Sequence, residues 1–421
     1  MVPEDGERSS AERADDALAP PASDAPGGAD AAKKGWFLWP LKAYAIVAGL
    51  VAVWFALAGR LLGQAQMTNG TIVSFTGDWL LGERANWDGF WYTTIARIGY
   101  FYDGSLAPDI QTSPAFFPGY PMTIRLVNVV VRDTALSGIL ISVVAGALGA
   151  CLLYRWTLTR LGARTARITV VAFLLYPYTM YLYGVVYSDA LFFACAILAF
   201  VALDEDHPIV AGLVGVLACS TRVVGLAIAL GLVLRMLELR GVFPVRGARP
   251  RRLHLGGLRR ADAALLLPPL GLVGYCAFLW VTYGNPFLFQ KSGQAWGQGS
   301  GLRTLVKADT WDMLTNELPY LRLELLLQLA LLVGALALIR HVFRRFGWAY
   351  GVYVLMILGI PLLTVGNLFG AGRYVLPAFP CFAALGDLLQ RRPVAAQRLA
   401  VAAGAGLFIC VTMFAQGMFV S

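Results

Sequence analysis

Residues 209–239 read IVAGLVGVLACSTRVVGLAIALGLVLRMLEL. The 31-residue run exceeds the roughly 20 helical residues that cross a bilayer core about 30 Å thick. A polar triplet, Ser220-Thr221-Arg222, interrupts it near the middle. Broken apolar helices of this kind are tolerated where their backbone lines a cavity. The run is therefore read as two half-helices forming a shallow V that returns to its starting side.

The flanking sequence is of the same kind. Apolar runs recur at 38–62, 134–153, 167–183, 187–203, 263–283, 319–339, 347–365, 374–389 and 395–414. A second irregular stretch, 116–131, is short and opens Phe-Phe-Pro-Gly-Tyr-Pro. The 421-residue chain is 58% hydrophobic and 14% charged, with mean hydropathy +0.65, against about 25% charged in an average soluble domain. This composition excludes a soluble globular enzyme. It predicts an all-α polytopic membrane protein with about 10–12 transmembrane or broken helices.

The formal net charge of +9 must be located before it is interpreted. Its basic clusters are Arg155, Arg160, Arg164 and Arg167; eight arginines between Arg235 and Arg260; Arg340, Arg344 and Arg345; and Arg391, Arg392 and Arg398. All fall on one side if the N-terminal tail is cytoplasmic, the 116–131 stretch does not cross and the 209–239 run is a V. This is the distribution the positive-inside rule requires. Treating either broken segment alone as a crossing scatters the clusters over both faces. Two large outer segments remain, about 63–115 and 284–318. The charge then describes orientation in a membrane. No basic arm stands outside the apolar runs to bind nucleic acid.

Residues 1–35 carry eight acidic and four basic side chains and little apolar surface, which predicts a disordered cytoplasmic tail. Residues 36–421 form one transmembrane domain. The tail is not a signal peptide, because Lys33 and Lys34 follow an acidic stretch and the apolar run beginning near Trp36 is long; a retained signal anchor fits. The six cysteines (Cys151, Cys195, Cys219, Cys276, Cys381, Cys410) lie in apolar runs and read as packing residues. His207, His254 and His341 are placed in separate loops without metal-ligand spacing, so no metal site is expected. Asp204-Glu205-Asp206 matches the Asp-x-Asp pattern of nucleotide-sugar enzymes, whose oxygen ligands suit Mg or Mn. It occupies a short predicted turn without a nucleotide-binding fold, so it reads as a solvated turn. The Gly-rich run ending at Gly301 lacks the lysine of a phosphate loop.

The first outer segment concentrates chemistry. Twelve aromatic residues fall between Gln64 and Tyr120, with Asp78, Glu83, Asp88, Asp103 and Asp109 in the same segment. Aromatic faces cover the C–H faces of a sugar ring and carboxylates accept its hydroxyl hydrogens; the competing reading is an interfacial aromatic belt. A helix beginning near Asp88 would put Trp91, Tyr92 and Ile95 on the Asp88 side and Arg97 on the opposite face. The alternative role for Asp88 is that of a helix N-cap.

These motifs carry a family resemblance. Trp87-Asp88 with Ile95-Ala96 and Gly99-Tyr100, Phe116-Phe117-Pro118-Gly119-Tyr120-Pro121, Val186-Tyr187-Ser188-Asp189-Ala190-Leu191-Phe192, Thr221-Arg222 before Gly225, and Arg373-Tyr374 with Pro377 follow one another in order. In this set the sequence resembles the PIG-V family of mannosyltransferases, within the GT-C superfamily of polyprenyl-phosphate-sugar-dependent enzymes. It departs from the family at Gly89 and at Asp189, where Glu is common.

The resemblance implies a GT-C glycosyltransferase-like fold whose first outer loop bears the catalytic carboxylate, and a lipid-phosphate-linked sugar donor. Asp88 is the expected general base of an inverting transfer. Arg222 and Arg373, each at a predicted outer membrane boundary, are the expected donor-phosphate ligands, with Tyr374 beside them; ionisable groups at such depth are usually functional, and arginine matches phosphate geometry. Pairing with Asp189, or snorkelling to a headgroup, is the alternative for each arginine. Asp189 would orient one of them or cap its helix. Trp87, Trp91, Tyr92, Tyr100, Phe117, Tyr120, Ser188, Asp189, Gln290 and Trp296 are the expected sugar- or acceptor-binding positions. No cofactor beyond the lipid-linked donor is expected. The acceptor is a glycolipid, a glycan or a protein, and membrane lipids complete the partners. The 29 Arg against 5 Lys suggest a high-GC bacterium, with the site facing outward from the plasma membrane. The rival function is a transporter or lipid-linked sugar flippase, for which paired inverted repeats would be the sign.

Overall fold

Helices begin and end where the sequence supplies a physical reason. Asp133 accepts a hydrogen bond from Leu136 N at 2.7 Å and caps the helix that follows. Pro208 and Pro393 each open a helix at its first position, and Gly284 ends one in the left-handed conformation. The computed structural model describes residues 35–62, 82–104, 110–242, 255–299, 301–316 and 319–420. The expected disordered tail, and Asp78, Asp109 and His254, lie outside the described residues.

The longer helices are α1 (Leu38–Leu61), α2 (Asp88–Ile98), α3 (Gly119–Val131), α4 (Thr134–Leu174), α5 (Asp189–Asp204), α6 (Pro208–Thr221), α7 (Leu226–Leu239), α8 (Leu270–Tyr283), α9 (Pro319–Phe346), α10 (Trp348–Thr364), α11 (Phe379–Leu389) and α12 (Pro393–Ala415). Among the described residues only an isolated bridge between Gln298 and Val365 departs from helix and loop. The protein is thus an all-α, multi-pass integral membrane protein. Among the described residues four helices are long and apolar enough to cross a membrane, or five if the pair Arg260–Leu266 and Leu270–Tyr283, bent by 46°, is one span. Shorter apolar helices fill the rest of the bundle.

Helix α4 is continuous only in hydrogen bonding. Gly149 and Phe173 both lie against Phe193: a side chain at Gly149 would strike that ring, and Phe173 stacks on it at 4.6 Å. In a straight helix those two positions would stand about 36 Å apart. The chain therefore doubles back between them, at Gly162, whose φ of 83° is non-helical. The two runs expected on either side of the Arg155–Arg167 cluster are the two arms.

The 209–239 run is a V, as its sequence predicts, but not a shallow one. Its two ends meet: Asp206, before α6, pairs with Arg240, after α7, at 2.9 Å. Its tip reaches the far end of the bundle, where Arg222 pairs with Asp189 at the start of α5. Each arm matches the depth of α5 because close packing holds it there. A Cβ on Gly212 would meet the Ala264 carbonyl at 2.1 Å, and one on Gly271 the Val216 carbonyl at 2.2 Å. The 116–131 stretch forms α3, which folds back on the first turns of α4: the Tyr120 hydroxyl donates to Gly138 O at 3.1 Å. At 13 residues it is about 20 Å long and stays at that end of the bundle.

The arginine clusters gather at the opposite end. Arg155 pairs with Glu205 at 2.7 Å, Arg235 with Asp204 at 2.7 Å, and Arg240 with Asp262 at 2.7 Å. Arg345 approaches Asp387 at 3.4 Å. Two readings change here. His341 lies within α9, bonded to Asp387 at 2.9 Å, and not in a loop. The Asp204-Glu205-Asp206 turn is an ion-pair hub and not merely solvated. Asp204 engages Arg160, Arg235 and Tyr350, and Asp206 engages Arg240 and Arg259. The cysteines are unpaired, all buried except the half-buried Cys276.

The α6–α8 contact makes a test on one helix. Gly271→Ala overpacks it and should lower stability by about 1–3 kcal/mol. At Gly274, with no atom within 4 Å of a Cβ, Ala should be neutral or favourable by up to about 1 kcal/mol. Thermal unfolding of the two detergent-solubilised variants reads the difference.

Candidate active site

Two aspartates occupy the first position of two helices and neither caps its own. Trp87 precedes Asp88 and Ser188 precedes Asp189 at the helix starts, with no side-chain cap bond at either. Asp189 turns instead toward Arg222 and Arg373, and Asp88 toward Arg373. The N-cap alternative for each is thereby set aside. The loop before α2 is held against residues 183–186: Val186 N donates to Arg84 O at 2.9 Å, and Arg84 Nη1 to Tyr183 O at 3.1 Å. Asp88 N donates to the Tyr187 hydroxyl at 3.2 Å.

Asp189 is the hub. Its Oδ2 accepts from Arg222 Nη2 at 2.6 Å and from Arg373 Nη2 at 2.9 Å, and its side chain is 1% exposed. It orients both arginines rather than one. Arg222 Nε also donates to Ser188 Oγ at 3.0 Å, and Ser188 Oγ meets the Tyr92 hydroxyl at 3.0 Å. Arg373 lies over the rings of Tyr181 and Tyr187 at 4.9 and 4.8 Å. Cation–π contact of this kind stabilises a desolvated guanidinium.

Asp88 is held differently. Its one side-chain hydrogen bond is a long one, 3.4 Å from Arg373 Nη1, and its side chain is 20% exposed. Burial pushes its carboxyl above the ordinary aspartate range, against the pull of Arg373. The result is a carboxylate loosely tied and open enough to accept a proton from a bound group. The four charges cancel, so the cluster is neutral before any ligand arrives. Two arginines and two helix N-termini nevertheless converge on it, an arrangement that favours an added anion.

The structure divides the other expected positions. Ser188 and Tyr92 belong to the cluster, the half-buried Tyr374 follows Arg373 in the Ala371–Val375 helix, and Trp87, 36% exposed, precedes Asp88. The expected sugar-stacking faces are instead engaged by protein. Trp91 stacks on both Phe101 and Phe116, at 5.7 and 5.6 Å. Trp296 meets Trp91 and Phe116 edge-on. Tyr120 is fully buried on α4, Phe117 packs with Tyr275 and Phe289, and the Tyr100 hydroxyl donates to Phe116 O at 2.7 Å. Gln290 is exposed on the Leu288–Ser292 helix. Arg97 is exposed on the far face of α2, as its spacing predicts.

Supports of Arg373 escape sequence reasoning. Tyr181 and Tyr187 underlie it; Tyr187 stands in the motif around Asp189 without that role being expected, and the signal for Tyr181 is the density of tyrosines between 176 and 187. Gly372, next to Arg373, is pinned on both sides: its N–H donates to Gln328 Oε1 at 3.3 Å and its carbonyl accepts from the Tyr176 hydroxyl at 2.8 Å. The Tyr178 ring leaves no room there for a Cβ. Nothing local in the sequence announces Gln328.

No protein-family model matches the chain, and no curated protein matches it. Among solved structures it is similar to ArnT from Cupriavidus metallidurans bound to undecaprenyl phosphate, at 14% identity and TM-score 0.48 over 89% of this chain and 76% of that one. It is also similar to the Archaeoglobus fulgidus oligosaccharyltransferase tethered to an acceptor peptide containing the NVT sequon, at 14% identity and TM-score 0.44 over 91% of this chain and 56% of that one. A third is the same organism's oligosaccharyltransferase AglB in complex with an inhibitory peptide and a dolichol-phosphate, at 13% identity and TM-score 0.41, again over 91% of this chain and 56% of that one. The likeness is one of helix arrangement.

The two aspartates should separate in stability measurements. Asp189→Asn leaves two arginines without their buried counter-charge and should cost about 3–5 kcal/mol. Asp88→Asn should keep or raise the unfolding temperature at neutral pH. The sign follows from its raised carboxyl: the stabilising protonated form is present below the unfolded-state pKa and is lost as pH rises through the folded-state value. Wild type should lose stability across that window and Asp88→Asn should not, as thermal unfolding against pH would record.

Proposed function

We propose that the protein is an inverting membrane glycosyltransferase of the GT-C, PIG-V-like kind, moving mannose from a polyprenyl-phosphate donor to an acceptor hydroxyl at the outer face of the membrane. The observation that carries the reading is the pairing of one loosely held carboxylate, Asp88, with two arginines anchored on a buried second carboxylate, Asp189. A lipid monophosphate leaving group needs the arginines, and an attacking hydroxyl needs the base. Asp88 takes the acceptor's proton, the hydroxyl oxygen bonds to the sugar C1, and the C1–O bond to phosphate breaks with its electrons on the phosphate oxygen. Arg222 and Arg373 neutralise that oxygen as it gains charge. Ser188, bonded to Tyr92, keeps the Arg222 guanidinium in place, Tyr374 stands next to Arg373 in the chain, and Trp87 borders the sugar. The acceptor is a glycolipid, a glycan or a protein.

The charge distribution supports a cytoplasmic arginine-rich end and, with it, a site at the periplasmic or extracellular face of a bacterial plasma membrane, or on the lumenal side in a eukaryote. The motif match between residues 87 and 377 supports mannose as the sugar.

Purified protein given polyprenyl-phosphate mannose and a panel of acceptors tests the reading. Asp88→Asn should lower transfer by about 10²–10⁴-fold, and Arg373→Ala should lower it at least as far. Full transfer by Asp88→Asn would overturn the assignment of the base. The acid limb of kcat should lie above the ordinary aspartate range, because the base works only when deprotonated and burial raises its pKa. Transfer should continue in EDTA. Uptake into sealed vesicles without a glycosylated product would favour a transporter.

A further inference from the structure

The residues after α12 reach the site from a direction that the chemistry above does not use. Gly417, left-handed at φ 79°, turns the chain, and Met418 N closes the turn on Met413 O at 3.0 Å. Phe419 and Val420 then run back toward the charged cluster. The Tyr181 hydroxyl donates to Val420 O, and Val420 is 1% exposed. Phe419 meets the Trp87 ring edge-on at 5.0 Å and lies 6.2 Å from the Phe369 ring.

Each of these neighbours leads directly to a reacting group. Trp87 immediately precedes Asp88 and sits at φ 59°, ψ −118°. A bulky residue at positive φ is a costly backbone state that persists only where its surroundings hold it. This one sets the direction in which α2 begins and so where the Asp88 carboxylate points. Tyr181 lies under the Arg373 guanidinium. Phe369 leads into the short Ala371–Val375 helix that carries Arg373. One short segment thus touches the supports of both the base and the phosphate ligand, groups 285 positions apart in sequence.

We propose that residues 417–420 are a brace that positions Asp88 and Arg373 relative to each other, with Phe419 as its positioning residue. This rests on the glycosyl-transfer reading for its catalytic consequence but not for its structural one. Phe419 braces Trp87 in its strained turn, and Val420 ties down the ring beneath Arg373. Without the brace, Asp88 and Arg373 keep their identities but lose their register. Loss of register of about 1 Å is enough to slow an enzyme by two orders of magnitude.

The test compares wild type with Phe419→Ala and the milder Phe419→Leu, both as full chains in detergent. Hydrogen exchange is read over residues 86–92 and 371–375, and steady-state transfer is measured alongside. Both segments should exchange at least about tenfold faster in Phe419→Ala, with unchanged exchange in α9 and α10. The kcat should fall by at least about tenfold with little change in the donor KM, and Phe419→Leu should recover part of both. Unchanged exchange at both segments, or loss of protection throughout the bundle, would overturn the brace whether or not the protein transfers mannose. Faster local exchange in a protein whose wild type makes no glycosylated product would sustain the brace and overturn the proposed function. If Phe419→Ala does not fold, Phe419→Leu carries the same comparison, and wild-type exchange and kcat in that variant would overturn the proposal.

Discussion

A single carboxylate holds this end of the molecule together. Asp189, with a side chain 1% exposed, accepts from Arg222 at 2.6 Å and from Arg373 at 2.9 Å. A buried charge is tolerated only when it is paired and hydrogen-bonded, so the two arginines and Asp189 stabilise one another or not at all. Through them the tip of the α6–α7 V, the start of α5 and the Ala371–Val375 helix are tied at one point. The same pairing fastens the tip of a V whose arms are seated by close packing.

Two aspartates in equivalent helical positions are held in opposite ways by their surroundings. Asp189 is closed in and fully engaged; Asp88 is partly open and has a single long bond. The first binds two guanidinium groups closely, and the second meets one of them at long range. The difference does not come from residue type or local spacing, since both stand at the first turn of a helix after a polar or aromatic residue. It comes from which of them the guanidinium groups reach on their favoured side.

Much of the fold was legible in the sequence because membrane helices advertise themselves by local composition. The apolar runs, the turn in the Arg155–Arg167 cluster and the return of the 209–239 run could be read from hydropathy and charge alone. The depth of the V could not, since it depends on glycines such as Gly212 and Gly271 facing particular carbonyls on another helix. The members of the charged cluster could be picked out in the sequence, because ionisable residues at membrane boundaries are rare and conspicuous. Its aromatic members could not. An aromatic residue looks the same in sequence whether its face is open to a sugar or covered, as Trp91 is covered by Phe101 and Phe116.

Local sequence was enough to establish a multi-pass helical membrane protein, the grouping of its arginine clusters on one side, and the presence of Asp88, Asp189, Arg222 and Arg373 at helix boundaries. These follow from short-range properties: run length, periodicity and the cost of charge in an apolar medium. It took the assembled fold to settle which carboxylate is consumed by ion pairing, which tyrosines lie under Arg373, and that Gln328 and Phe419 stand behind the cluster. Those outcomes depend on contacts between segments far apart in the chain, whose distances are set by helix packing, and local sequence carries no record of them.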